Sequence, residues 1–369
     1  MLAKNFDVII VGGGPAGLST ALHLLQRDTS WGERMMILEK ERHPREKLCA
    51  GAVIPFGEAV LADLGLSINV PFVHVRETRM QFEDLMVSSQ QETAFVVTHR
   101  QEFDAWLHSS ALQRGVCIHE GEPAVRVEQK GNGVTVTTSR DRFEAKVLVG
   151  ADGSTGVVRT QLGLGERGRT ARLLEVITPE DPSTPEFQEQ FANFDFTPMN
   201  SGLQGYYWEF PSVINGQSFM NRGVYDSRVH PQRPLADLKT ILAERMSARG
   251  RSLADYELKG HPLIWFDPSG PFSREHVLLV GDAAGVDPMI GEGISTALGY
   301  GKLAAEVIED AFRSRDFSFR GYADQVAASQ MGQALQQERD VADVMYRDLG
   351  SQLWRLFWNE QGPLQVNAY

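Results

Sequence analysis

Three short apolar runs in this chain each stop abruptly at small residues. Val8–Val11 gives way to Gly12-Gly13-Gly14-Pro15-Ala16-Gly17, Lys146–Val149 to Gly150-Ala151-Asp152-Gly153, and Val277–Val280 to Gly281-Asp282-Ala283-Ala284-Gly285. A short apolar run without alternation reads as a strand buried on both faces. After the first run, Leu18, Ala21, Leu22, Leu24 and Leu25 fall at helical spacing and predict a helix over 15–27. Residues 35–39 read as the next strand, which completes a βαβ unit. Phe103, Trp106, Leu107 and Leu112 predict a helix over 100–114. Strands are expected at 116–119, 123–129, 133–139 and 142–149, with Gly131-Asn132-Gly133 turning a hairpin between two of them. Segment 166–264 is richer in proline, aromatics and alternating strand-like runs, and 72–98 is expected to join it. The strand-and-helix pattern resumes at 275–312, with a helix over 293–312, and helices over 317–358 close the chain.

This is an α/β pattern. It divides the chain into a nucleotide-binding domain of residues 1–71, 99–165 and 265–316, a sheet-rich domain of 72–98 and 166–264, and a C-terminal helical region of 317–369. Strand ends in an open α/β sheet are where a ligand touches backbone, so three of them imply one extended dinucleotide touched in several places.

Composition narrows the partners. The formal charge of −12 argues against a nucleic-acid surface, which needs a basic face. Two cysteines, Cys49 and Cys117, make no disulfide framework and fit a reducing compartment. The first strand begins near Phe6, leaving no room for a signal peptide, and no apolar stretch reaches the roughly 18 residues that span a bilayer. A soluble, cytoplasmic protein with at most peripheral membrane contact is expected. The nine histidines show no HExxH or paired spacing, so no metal is expected.

The first signature has a job for each glycine. Gly12 allows the tight turn, Gly14 lets a pyrophosphate approach the backbone, and Gly17 lets helix and strand pack closely. Amides at the helix start and the helix dipole favour phosphate charge. Glu39, about 20 residues on, can accept both ribose hydroxyls of an adenosine. In the third signature Asp282 can meet a sugar or ribityl hydroxyl. Pro288-Met289-Ile290-Gly291-Glu292-Gly293-Ile294 then opens a helix whose N-terminal amides would stabilise the negative charge of a reduced flavin.

These residues resemble the fingerprints of the flavin-dependent hydroxylase and reductase superfamily built like para-hydroxybenzoate hydroxylase. The resemblance covers residues 6–312 through the first signature, Asp152-Gly153 with Arg159, and Gly281-Asp282 with Pro288. Arg100-Gln101-Glu102-Phe103-Asp104 is similar to the superfamily's Arg-x-x-Phe-Asp helix start, whose arginine lies beside the FAD; a helix-end surface charge is the alternative for Arg100. The resemblance implies a three-layer, Rossmann-like FAD-binding domain of glutathione reductase type, tightly bound FAD, and NAD(P)H as a transient reductant without a domain of its own. The cofactor-binding set expected is Gly12, Gly14, Pro15, Ala16, Gly17, Glu39, Lys40, Arg100, Val125, Asp152, Gly153, Asp282, Pro288, Gly291, Gly293 and Ile294.

Within that superfamily, Lys47-Leu48-Cys49-Ala50-Gly51, Tyr206-Tyr207-Trp208-Glu209-Phe210-Pro211 and Gly291-Glu292-Gly293-Ile294 are similar to the geranylgeranyl reductase family, which saturates isoprenoid double bonds. The aromatic strand faces the substrate channel in that family, and the cysteine loop lies near the flavin. Ala50 departs from the family's Cys-Gly-Gly form. Strand alternation by itself puts Tyr206, Trp208 and Phe210 on one face, as an apolar substrate wall or as plain sheet core. Cys49 either fits a tight space beside the flavin or takes part in substrate ordering and protonation. Cys117 reads as core. The Trp-x-Trp-x-Ile-Pro motif of tryptophan-type halogenases is not present, and no lysine occurs between Lys47 and Lys130. The function expected is FAD-dependent reduction of carbon–carbon double bonds in an apolar, prenyl-type small molecule or lipid. The alternative is a monooxygenase that hydroxylates an aromatic or polyketide-like substrate.

Overall fold

Two sheets dominate the computed structural model, which describes residues 4–164 and 170–347. The first sheet runs in the order Ser273–Arg274, Val277–Leu279, Arg142–Gly150, Lys4–Val11, Met35–Glu39, Cys117–Glu120. Lys4–Val11 pairs in parallel with both Met35–Glu39 and Arg142–Gly150. These strands lack polar alternation because both faces are covered. Val8, Ile10, Met35, Ile37, Val147 and Val149 point into a core shared with helices Pro15–Arg27 and Ile294–Ser314. Their neighbours Ile9, Val11, Met36, Leu38 and Leu148 point the opposite way, onto Val127, Val134, Val136 and Phe143. Val127, Val134 and Val136 belong to a hairpin, Ala124–Lys130 with Gly133–Thr138, that branches from Arg142–Gly150, the strand that carries Phe143. Helices, central sheet and hairpin make the three layers expected, with an α/β FAD-binding fold.

The second sheet runs Lys259–Ile264, Thr170–Pro179, Gln217–Asp226, Gly205–Ile214, Phe191–Asp195, Phe72–Phe82, Leu85–Thr98, Ala52–Val53. Its last strand comes from the 1–71 segment, which the sequence pattern placed wholly with the nucleotide-binding domain. One face of this sheet packs under helix Leu238–Ala248 through Val176, Tyr207, Val224 and Leu242. The other face carries the aromatic cluster described below. Helices Tyr322–Ala328 and Gln330–Met345 follow at the C-terminal side. The expected helical stretch 348–358 lies outside the described residues. Among the described residues no helix is long and apolar enough to cross a membrane.

Helix Pro15–Arg27 begins and ends where the apolar spacing predicts. It lies unusually close to Ile294–Ser314: a Cβ on Gly301 would stand 2.5 Å from the Ser19 side chain. Ser19 Oγ donates to the Leu298 carbonyl at 2.7 Å across that contact. The start of the third-signature helix is thereby fixed relative to the first.

Candidate functional site

The ends of the three apolar strands are adjacent. Val11 lies opposite Gly150, and Gly150 opposite Leu279. The three small-residue turns therefore emerge side by side from the C-terminal edge of the first sheet. Their closeness requires glycine: Gly12 has φ +112°, and a Cβ there would stand 2.2 Å from the Ala151 carbonyl oxygen. A Cβ on Gly17 would stand 2.0 Å from the Gly12 oxygen, so its role is close helix–strand packing.

The helix that starts at Pro15 has no side-chain cap and no acid in its first turn, leaving its positive pole available. Glu39 is nearly buried and held at the glycine turn: the Gly13 amide donates to Oε2 at 2.6 Å and the Glu41 amide to Oε1 at 2.9 Å. Arg45, which no motif singled out, sits over the turn. Its guanidinium lies 3.5 Å from where a Gly14 Cβ would be, 3.2 Å from Asp104 and 3.9 Å from Glu39. Arg100 is buried rather than a surface charge, and donates through Nε and Nη2 to both Asp104 oxygens at 2.8 Å. Burial pushes the Asp104 carboxyl up, but the Arg100 and Arg45 charges overcome this and hold it below its ordinary value.

Asp152 accepts from the Val158 amide at 2.9 Å, while its other oxygen is buried without a partner. Burial raises this carboxyl to about 6 despite the backbone bonds. At the third signature, the helix Ile294–Ser314 is partly capped from within. The Glu292 carboxyl accepts from the Ser295 amide at 2.7 Å and the Thr296 amide at 3.2 Å. The amides of Gly293 and Ile294 have no acceptor among the described residues, and both residues border the cavity described next. The positive pole expected here is therefore narrower than the sequence suggested, two amides rather than a full turn.

A cavity of about 540 Å³ joins these features. Its wall takes Gly12, Gly14, Pro15 and Ala16 from the first turn, and Glu39, Lys40 and Arg100 beside it. Asp152 and Gly153 come from the second turn, and Asp282, Gly291, Gly293 and Ile294 from the third. Three expected residues are not on the wall. Gly17 packs behind it. Val125 is exposed, because the strand pairing slips between Ala124 and Arg126 and turns Val125 outward, while Ala124 itself borders the cavity. The Pro288 carbonyl accepts from Tyr225 Oη at 3.2 Å and from Ser227 Oγ at 2.5 Å.

The opposite wall is the aromatic face of the second sheet. Tyr206, Trp208 and Phe210 border the cavity with Phe194 and Phe95. Their rings are 6.2 Å (Tyr206–Trp208) and 6.5 Å (Trp208–Phe210) apart, with Phe194 5.0 Å from Phe210. Tyr206 donates to the Ile290 carbonyl at 2.5 Å, tying the sheet to the third-signature loop. Tyr207 and Glu209 face away, where Glu209 accepts from Arg222 at 3.0 Å. The same residues thus serve as sheet core and as cavity wall.

Cys49 lies half-buried in that wall, its Sγ accepting from the Gly51 amide at 3.4 Å. Burial outweighs the nearby Arg100 charge and pushes the thiol up, so it is neutral near pH 7. Lys47 donates to His261 Nε2 at 2.8 Å. Burial and the Lys47 charge lower His261 to about 4, which makes it the neutral acceptor of that pair. Glu175, also on the wall, has one buried oxygen without a partner, and burial raises its carboxyl to about 7. Motif reasoning missed Arg45, Glu175 and His261, and gave Lys47, first in the cysteine motif, no role of its own. The one signal available for Glu175 was an acid in strand phase with Leu173. Away from the cavity wall, His43, His108 and Glu120 come together. The two rings stack at 4.4 Å, and the His43 amide donates to Glu120 at 2.6 Å.

An open glycine turn, an uncapped helix start, an orphan carboxyl oxygen on Asp152 and two free amides before an apolar wall fit a flavin dinucleotide laid along the cavity. The FAD binding domain family model matches residues 5–304. The chain belongs to that family. It is an FAD-dependent oxidoreductase, and the resemblance to the geranylgeranyl reductases extends well past the motifs. Digeranylgeranylglycerophospholipid reductase 3 of Methanosphaera stadtmanae is 24% identical over 371 residues, 94% of this chain and 88% of that protein. A geranylgeranyl bacteriochlorophyll reductase-like protein of Thermoplasma acidophilum superposes with TM-score 0.72 at 21% identity, covering 94% of this chain and 88% of that one. A flavin-dependent halogenase, CmlS, shares the fold (TM-score 0.71, 19% identity, 96% of this chain and 67% of that chain).

Proposed function

We propose that this protein saturates carbon–carbon double bonds of an apolar, prenyl-type substrate, drawing reducing equivalents from NAD(P)H. The observation that carries the reading is the pairing of the two cavity walls: a dinucleotide cradle on one side and Tyr206, Trp208, Phe210, Phe194 and Phe95 on the other. Relatives named for geranylgeranyl-lipid reduction support it. Bound FAD, once reduced, supplies hydride at its ring.

The residues around it do the rest. Gly14, Glu39 and Arg45 would hold the pyrophosphate and adenosine ribose, the latter through the Glu39 carboxylate. Asp282 would take a ribityl hydroxyl. The free Gly293 and Ile294 amides would face the ring's negative edge and stabilise its reduced state. The aromatic wall excludes water and lays an isoprenoid chain flat. An unactivated alkene is a poor hydride acceptor, so positioning and a proton at the neighbouring carbon must supply much of the rate.

The test is anaerobic. Photoreduced holoenzyme is mixed with geranylgeranyl diphosphate and with a geranylgeranyl glycerolipid in detergent. Loss of the reduced-flavin spectrum, with a product heavier by two hydrogens for each bond saturated, supports the reading. Reoxidation only when oxygen is admitted, with a hydroxylated product, would establish a monooxygenase instead.

A further inference from the structure

We propose that Glu175 delivers the proton to the substrate carbon next to the one that receives hydride. The proposal rests on the reductase reading above and supplies the donor that reading requires.

The position follows from strand register. Glu175 on Thr170–Pro179 is opposite Gly223 on Gln217–Asp226, and Gly223 is opposite Trp208 on Gly205–Ile214. Opposed residues share a face, so Glu175 and Trp208 are on the cavity side with a residue that has no side chain between them. The Trp208 ring fills that gap: a Cβ on Gly223 would stand 2.2 Å from its Cζ2. Trp208 Nε1 donates to Asn221 Oδ1 at 2.7 Å, and Asn221 Nδ2 donates to the Cys49 carbonyl at 3.3 Å. The Asn221 side chain and the Cys49 main chain also face the Glu175 carboxyl. Glu175 is thereby placed among the aromatic wall, the cysteine loop and the cavity, with Oε2 unpartnered.

The charged and titratable groups around it come from three elements. Lys47 and Cys49 lie on the loop, Arg100 starts its helix, and Lys259 and His261 lie on the neighbouring strand, with Lys259 opposite Glu175 in register. Burial prevails over the hydrogen bonds from the Asn221 side chain and the Cys49 amide and over the Lys259 and Arg100 charges, and raises the carboxyl to about 7. A donor in that range gives up a proton near neutrality more readily than the Cys49 thiol, which burial moves above its ordinary value. In the step, the alkene π pair is consumed as two C–H bonds form. Hydride arrives from reduced flavin, which is oxidised, and the proton arrives from the Glu175 carboxyl. Glu175 is left as carboxylate and regains a proton from solvent before the next cycle.

The experiment compares wild type, E175Q, E175D and C49S holoenzymes. Infrared difference spectra between pH 5 and pH 9 should show a carboxylic-acid C=O band that titrates near pH 7 in wild type and disappears in E175Q. With equal flavin content and far-UV circular dichroism, anaerobic reoxidation of reduced E175Q by geranylgeranyl diphosphate should be slower by about 100-fold or more, with E175D intermediate and C49S slowed less than E175Q. Reoxidation of E175Q at the wild-type rate, a band unchanged by the substitution, or a loss confined to C49S overturns the assignment while leaving the reductase reading standing. Wild type that no prenyl probe reoxidises sinks the reductase reading, and the proton donor with it.

Discussion

The indole of Trp208 lies across Gly223, filling the space that a side chain would occupy on the neighbouring strand. The nearest ring atom is 2.2 Å from where a Cβ would be. The ring is held there by its hydrogen bond to Asn221 and is only 3% exposed. This arrangement lets a large aromatic lie flat along the cavity wall instead of projecting into it.

Gly223→Ala should therefore push Trp208 off the sheet toward the cavity, and it also crowds the Leu174 carbonyl, 2.4 Å from the same Cβ. Forcing a methyl group into a packed site costs about 1–3 kcal/mol. Unfolding should show that loss, with a shifted tryptophan emission. Substrate KM should rise more than flavin affinity falls, because the disturbed wall is the one opposite the dinucleotide turn. Flavin content that drops as steeply as substrate binding would mean the cavity is not divided in this way.

The glycine turn predicts the reverse pattern. Gly14 borders the cavity and nothing but the Arg45 guanidinium lies within reach of an added Cβ, so Gly14→Val leaves the fold intact and fills ligand space. Purified Gly14→Val should lose bound flavin with a melting temperature close to that of wild-type apoprotein. Arg45→Ala should weaken flavin binding in a salt-dependent way, since it removes a cation from the phosphate side. Flavin retained by Gly14→Val at wild-type stoichiometry would refute the cradle.

Much of this geometry was legible in the chain. The three strand-to-glycine transitions are local patterns, and helix Pro15–Arg27 and strand Met35–Glu39 stand where spacing placed them. Alternation sorted Tyr206, Trp208 and Phe210 from Tyr207 and Glu209. What was not legible depends on neighbours distant in sequence. A one-residue slip in pairing turns Val125 outward. Glu292 caps its own helix only because the 287–292 loop folds back, with the Asp287 carboxyl accepting from Met289 at 2.6 Å and Ile290 at 3.1 Å. Arg45 finds Asp104 across 59 residues of chain, and Glu175 meets the cysteine loop only through the sheet. No residue pattern within a strand of ten announces that its one acid is buried beside a cavity.

Asp104 offers a stability test of the cofactor-side ion network. It is fully buried and is bridged by both Arg100 and Arg45. Asp104→Ala leaves the buried Arg100 guanidinium without its bidentate partner, and breaking such a pair costs about 3–5 kcal/mol. Chemical denaturation should register that loss. Arg100→Met combined with Asp104→Leu removes both charges and should recover part of it. A single substitution as mild as an exposed one would show that the pair is solvated.

The raised carboxyl of Glu175 also makes a claim about stability against pH. Its folded value, about 7, is above the ordinary 4.5. Between those two values the folded protein holds a proton that the unfolded chain has released, so this group's contribution favours the fold most at low pH and is lost as pH rises through 7. A shift of that size corresponds to a few kcal/mol, on the order of 3. Glutamine cannot ionise, so E175Q should be insensitive to this term. Denaturation midpoints measured from pH 5 to pH 8.5 should therefore fall more steeply for wild type than for E175Q, with the two curves diverging mainly between pH 5 and pH 7 and running parallel above about pH 8. Asp287, raised to about 7 by burial and by Glu292, and Asp152, at about 6, add slopes of the same sign to both proteins and cancel in the difference. Parallel curves would mean that Glu175 is ionised in the folded protein at neutral pH, with its burial compensated by hydrogen bonds from Asn221 and the Cys49 amide and by the Lys259 and Arg100 charges.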